Sequence, residues 1–451
     1  MQTSRAKVAV SLAILLIGLV ATILAASSAS STTDSCILVD FGDRDVTYVP
    51  VDSEEDPDSI SALEYACALN GFELVLEGEK IVSINGIGNS ADGSWGLYGV
   101  PHGDDDWVVI GSDPSDVLVD DYTVLCWGHC DEGEVPTRAV DATGVCFYGY
   151  NEPSRVVSLA PTCTEILCSV GGFDLIVGAD MYSNYPSEVV TAMQTGKIKV
   201  IGGFTNPSYE MVLKQDPDLV VCMGNQNAHV QMSEKLRSNG VDVLVISGAE
   251  DIDVVLDNIY MVGTSIGEND VAVENIDLVS SQISEIGDIV DSGSDTHEVS
   301  TMISLSAVKS PWVSGSDTYI SDIMDIVHSY NIYTKESGWV QVNAETILKY
   351  DPSVIVVAST DYTATQEEYD SMIDSMSSEW RGTTAYRNGD IYLLAGEACD
   401  LASRAGPRVA QMTELMARII HGDIFGDGIV IPHFVGGEYR DYLTITKEGS
   451  I

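Results

Sequence analysis

Two glutamates recur in matching phrases: SYEMVLKQDPDLVVC from Ser208 carries Glu210, and NAETILKYDPSVIVV from Asn343 carries Glu345. Leu213 matches Leu348, Lys214 matches Lys349, and Asp216-Pro217 matches Asp351-Pro352. An aromatic, Phe204 or Trp339, stands six residues before each glutamate. A carboxylate in a first helical turn gains roughly 0.3–1 kcal/mol from the macrodipole, which accounts for one such residue anywhere. The shared offset is not accounted for, and the pattern alone leaves a functional use open.

Other reactive side chains point away from catalysis. CWGHC (Cys126 to Cys130, with His129) invites a metal, but its spacing fits no zinc pattern, and disulfides or buried thiols suit it better. Haem attachment would need a histidine directly after the second cysteine. Cys163, Cys168, Cys222 and Cys399 have no histidine that sequence can assign to them, so they read as small buried apolar residues. His102, His129, His229, His297, His328, His421 and His433 are scattered and form no ligand set, so no metal site or resident cofactor is expected. The chain has no G-x-S-x-G elbow, no P-loop and no GxGxxG opening a helix after a strand. No catalytic residue is assigned, and a binding protein is expected.

These residues sit in a chain of 451 residues with 69 acidic and 21 Lys plus Arg side chains, a formal charge of −48. That field repels phosphate backbones and excludes nucleic acid as a natural partner. Arg5 and Lys7 precede an uncharged apolar run from Val8 to Ala26, so residues 1–33 read as a signal peptide or a membrane anchor. Either reading puts the remainder outside the cytoplasm. Nine cysteines are an odd number, which leaves at least one thiol free or paired between molecules.

The positioning elements fall into blocks. Residues 34–150 hold short β-like runs and one helix, SISALEYACAL, with Ser59 placed to cap it. From Arg155 apolar runs (RVVSLAP, LIVGAD, DLVVCMG, VDVLVISG) alternate with helical stretches, the grammar of a parallel sheet covered on both faces. Ile252, Val255, Leu256, Ile259, Val262 and Ile266 then keep helical spacing in a long helical stretch, 251–292. VSTMISLS, SVIVVAST and DIYLLAG restart the α/β pattern over 293–421, and residues 422–451 form a tail with no readable motif. The expected fold is α/β: Rossmann-like lobes at 154–250 and 293–421 joined by a long rigid helix, after a small β-rich (α+β) domain.

RVVSLAPTCTEILCSVGGFDLIVGADMYSNYP, NPSYEMVLKQDPDLVV, GWVQVNAETILKYDPSVIVV and ACDLASRAGPRV resemble the substrate-binding proteins of ABC importers for cobalamin and iron–siderophores. The resemblance implies a monomer that holds its ligand between two lobes with little hinge motion. It implies that Glu210 and Glu345, one per lobe, dock onto arginines of a dimeric membrane permease through charge-assisted hydrogen bonds. It also implies a cleft lined by Tyr182, Phe204, Trp312 and Trp339, with Asp400 and Arg404 from CDLASR, and with Pro161 and Thr162 at a strand-to-helix turn. Phe204 stands where cobalamin binders can carry tryptophan, and Met223-Gly224 replaces a further aromatic. SALEYACALNGFELVLEGEKIVSINGIGNSADGSWGLYG is similar to the small domain at the C-terminus of transcobalamin, with Trp95 and Tyr98 as accessory ligand contacts. The ligand expected is a corrinoid; a ferric siderophore or haem is the alternative, as is a surface sensor without a permease.

Overall fold

The computed structural model describes residues 35–447 apart from 43, 91–92, 149, 151–152 and 294–298, so the leader or anchor expected at 1–33 lies outside the described residues. The chain forms two compact units that meet between Thr137 and Arg138.

In the first unit, strands Val46–Val51, Ser35–Asp40, Tyr122–Cys130, Ser94–Pro101 and Val108–Val109 lie in that order in one sheet. The helix Ser59–Asn70 buries Ala62, Leu63, Ala66 and Cys67 against Ile37, Val39, Leu125 and Trp127. Its cap is Asp58 rather than the expected Ser59: the Asp58 carboxylate accepts the N–H groups of Ile60 and Ser61, both at 3.0 Å. Ser59 instead donates its hydroxyl to the Pro114 carbonyl at 2.8 Å.

CWGHC is the end of the Tyr122–Cys130 strand. Side chains alternate along a strand, so Cys126 and Cys130 share one face while Trp127 and His129 occupy the other. That geometry rules out joint ligation. All nine cysteines are free thiols.

In the second unit, residues 138–150 separate from the β-rich block with which sequence grouped them. Asp141, fully buried, accepts the Val245 N–H at 2.9 Å and an Arg237 guanidinium, and the Tyr150 hydroxyl donates to the Val243 carbonyl at 3.0 Å. A five-stranded sheet orders Lys199–Val200, Ile176–Ala179, Val156–Ser158, Leu219–Met223 and Asp242–Ile246, all parallel. A second, seven-stranded sheet has parallel strands Val299–Ser304, Val354–Ala358 and Ile391–Leu394 at its centre, with antiparallel Trp312–Ser314 and Trp339–Gln341 on one side. The tail supplies its far edge, Phe434–Val435, parallel to Ile391–Leu394.

The two copies of the repeated phrase take equivalent places. Leu219–Met223 pairs with the first strand of its sheet, and Val354–Ala358 pairs with Val299–Ser304. Asp216 (φ 51) and Asp351 (φ 47), each before proline, are both left-handed, a conformation Asp tolerates better than most residues.

Between the sheets, the expected single long helix is two: Ile252–Ser265 and Asn269–Gly293. Gly267 at φ 78 breaks the run, and the Glu268 N–H turns back to the Gly263 carbonyl at 2.9 Å. The helices then pack closely, because a Cβ on Gly263 would lie 2.4 Å from the Ala272 Cβ.

Candidate functional site

A cavity of about 1090 Å³ opens in the second unit, above the typical range for a drug-sized ligand site. Its lining follows strand ends in both sheets: Thr162 after Val156–Ser158, Met181 and Tyr182 after Ile176–Ala179, Asn225 after Leu219–Met223, and Thr360 and Tyr362 after Val354–Ala358. Ligand residues in open α/β sheets gather at such ends. Of the residues expected from sequence, Pro161, Thr162, Tyr182, Phe204, Trp339, Asp400 and Arg404 line this cavity. Trp312 does not. It lies on a neighbouring strand with 48% of its surface exposed.

Asp400 and Arg404 are nearly closed off from solvent, at 4% and 9% exposure, within a buried ionic cluster. Arg404 Nη1 donates to Glu165 Oε1 at 2.7 Å, and Arg408 donates to the same carboxylate through Nε and Nη2, both at 2.8 Å. Asp400 pairs with Arg404 at 2.9 Å. Burial raises the Asp400 pKa, opposed by the Arg404 charge. Two carboxylates and two guanidiniums give the cluster no net formal charge. It also shapes the wall: Arg404 donates to Asn184 Oδ1 at 2.6 Å and to the Tyr182 carbonyl at 3.3 Å. Sequence reasoning missed Glu165, Asn184 and Arg408, although a glutamate inside the apolar phrase PTCTEILC and a second arginine in SRAGPR were the available signals.

Phe204 is held by a fourth missed residue, His229. It sits between Gly202–Gly203 and Asn206–Pro207, a tight antiparallel pair. Gly202, at φ 123, has no room for a side chain, since a Cβ would fall 2.8 Å from the Asn206 carbonyl oxygen. His229, fully buried, donates from Nε2 to the Phe204 carbonyl at 2.7 Å, while its Nδ1 accepts the Met223 N–H at 3.2 Å. Those two bonds fix the neutral Nε2–H tautomer. Burial lowers the His229 pKa to about 4. One imidazole thus ties two cavity-lining residues together.

Asp180 supports the adjoining wall. Its Oδ1 accepts the Tyr182 N–H at 3.1 Å and the Ser183 hydroxyl at 2.8 Å, whereas its buried Oδ2 has no hydrogen-bond partner. Burial raises its pKa.

Glu210 and Glu345 are both exposed, in the first turns of Tyr209–Leu213 and Ala344–Tyr350. Ser208 and Asn343 cap these helices, accepting N–H groups of Met211 at 3.3 Å and Thr346 at 2.9 Å. Each helix begins just after a lining aromatic, Phe204 or Trp339, so the repeat joins an exposed carboxylate to the cavity wall twice.

In the first unit, Tyr98 is buried at 8% exposure. Trp95 donates its indole N–H to the Ile87 carbonyl at 2.8 Å and packs edge-on to Phe41 and His129. Both are packing residues of the β-module.

Residues 156–398 match the family model described as periplasmic binding protein. Among curated proteins, the ABC transporter substrate-binding lipoprotein YvrC of Bacillus subtilis is 27% identical over 275 residues, which span 61% of this chain and 82% of that relative. The cobalamin-binding protein of Halobacterium salinarum is 26% identical over 293 residues, 63% of this chain and 74% of that relative. Among solved structures, a periplasmic heme binding protein from Pseudomonas aeruginosa aligns with a TM-score of 0.53 at 18% identity, covering 60% of this chain and 93% of that one. That last likeness concerns the fold alone.

Proposed function

This chain belongs to the periplasmic binding protein family, and from that premise we propose that it carries a corrinoid outside the cytoplasm to an ABC importer. The observation that carries the ligand assignment is the charge of the cavity lining. Among the described residues, its only basic side chain is Arg404, already bonded to Glu165 and Asp400. Haem brings propionates and a ferric catecholate brings multiple negative charges, and each calls for free cations in the wall. A corrinoid is large, flat and fringed with neutral amides. It suits aromatic faces (Tyr182, Phe204, Trp339, Tyr362) interleaved with Asn184, Asn225, Thr205 and Thr360.

Calorimetry on purified protein with cyanocobalamin, haemin and a ferric siderophore tests the reading. Binding of the corrinoid alone is the expected result; tight siderophore or haem binding without a corrinoid signal overturns it.

Delivery is the second half of the proposal. The two sheets form two lobes of a stiff clamp, braced by the helix pair Ile252–Ser265 and Asn269–Gly293 and by the buried Glu165–Arg404–Arg408 cluster. The monomer presents Glu210 and Glu345 to arginines of a two-fold permease. Their exposure and equivalent settings support this. Replacing both with alanine is expected to abolish uptake in cells while leaving corrinoid affinity unchanged; normal uptake by that variant removes the docking assignment.

A further inference from the structure

Two acids of the cavity lining, Glu250 and Asp317, differ from the third. Asp400 is neutralised by Arg404, whereas Glu250 and Asp317 are exposed and, among the described residues, have no ion pair. Among the described residues, Asp317 accepts only the neighbouring Ser316 hydroxyl, at 3.3 Å. The two acids belong to loops that touch: the Tyr319 N–H donates to the Ala249 carbonyl at 3.4 Å. Ala249 (φ 59) and Asp317 (φ 53) are both left-handed, a conformation that alanine rarely adopts and that surrounding structure must enforce. Two unbalanced carboxylates, carried on constrained backbone, therefore share the wall of a cavity whose remaining charges cancel.

Low-dielectric walls focus such a field into the solvent they enclose. From this we infer that Glu250 and Asp317 make the site selective for the charge of its corrinoid, favouring a form with net positive charge over a neutral one. The inference rests on the corrinoid reading above. The chemical class it names is a corrinoid whose cobalt carries a neutral axial ligand such as water, which leaves one positive charge that cyanide would cancel. For a unit positive charge placed about 6 Å from each carboxylate through a largely aqueous path, each is worth ~3-fold in affinity, so the two together give about tenfold.

The test uses the full chain and two probes, aquacobalamin and cyanocobalamin, with dissociation constants measured at low and high salt. The wild-type protein is expected to bind the aqua form about tenfold tighter at low salt, with the gap narrowing to about twofold or less at high salt. In the E250Q/D317N variant the ratio of the two dissociation constants falls to about one at both salt concentrations, whatever happens to cyanocobalamin affinity itself. Both substitutions are isosteric and exposed, and cyanocobalamin binding by the variant reports an intact site. Equal affinities in the wild type overturn the inference and spare the corrinoid reading. So does a preference that survives the double substitution, because it would come from a side chain displacing water on cobalt. Failure of both cobalamins to bind overturns the corrinoid reading and the inference together.

Discussion

Replacing Glu165 with alanine is the most severe perturbation that the site offers. The carboxylate is 1% exposed and accepts three charge-assisted bonds of 2.7–2.8 Å from two arginines that are themselves 9% and 2% exposed. Its removal leaves two buried guanidiniums: Arg404 keeps Asp400 as its carboxylate partner, and Arg408 keeps the Tyr439 hydroxyl, at 3.4 Å. Breaking a buried pair from one side costs about 3–5 kcal/mol, because a desolvated charge is left uncompensated. At a slope of about 3 kcal/mol per molar, the urea midpoint falls by ~1 M or more. Circular dichroism at helical wavelengths follows the second unit, which holds nearly all the helix. The companion variant, Glu165→Leu with Arg408→Met, removes a negative and a positive charge together and costs less than Glu165→Ala alone. Arg404 also loses the anchor that lets it hold Asn184 and Tyr182, so corrinoid affinity drops in the alanine variant as well. A loss below about 1 kcal/mol, or a double variant that costs the sum of its singles, would refute the account of a tightly coupled cluster.

Three further outcomes follow from the buried groups. His229 has a folded pKa of about 4, below its ordinary value, so the unfolded chain protonates first on acidification; the neutral imidazole contributes about 3 kcal/mol, complete above pH 6.5 and lost as pH falls toward 4. Stability curves at pH 7 and pH 4.5 should therefore differ less for His229→Gln than for the wild type, and this variant should also bind ligand more weakly. Asp180 is the opposite case: its raised folded pKa means that stability is lost as pH rises through it, so Asp180→Asn should be more stable than wild type at pH 8 and no more stable at pH 3, as read from denaturation midpoints at the two pH values. Burial pushes the thiols of Cys168, Cys222 and Cys399 up to about 12. They should resist alkylation in the native state, and all nine cysteines should react after denaturation without reductant.

Much of this was legible because helix-to-strand punctuation is local. The repeated Glu and Asp-Pro offsets marked two equivalent elements, and seven of eight expected cleft residues line one cavity. Trp312 was expected in the cleft but stands outside the lining, because a strand's distance from a cavity is a tertiary fact; its register partner is Gln341. Glu165 and His229 were missed for a different reason. Both are polar groups inside apolar surroundings, and only the folded chain brings arginines 239 and 243 residues away to one of them. Gly267 carried a stop signal that the continuing apolar rhythm on either side outweighed.

The last segment matters to anyone who shortens this chain for expression. A cut after His421, where the recognisable α/β rhythm ends, would unzip Phe434–Val435 and leave Ile391–Leu394 as a bare sheet margin open to pairing between copies. It would also strip the fully buried Glu414 carboxylate of the amides of Thr444, Ile445 and Thr446, leaving Arg418 as its chief counterweight. Fragments ended there should turn up in inclusion bodies, whereas those reaching Lys447 should stay in the supernatant.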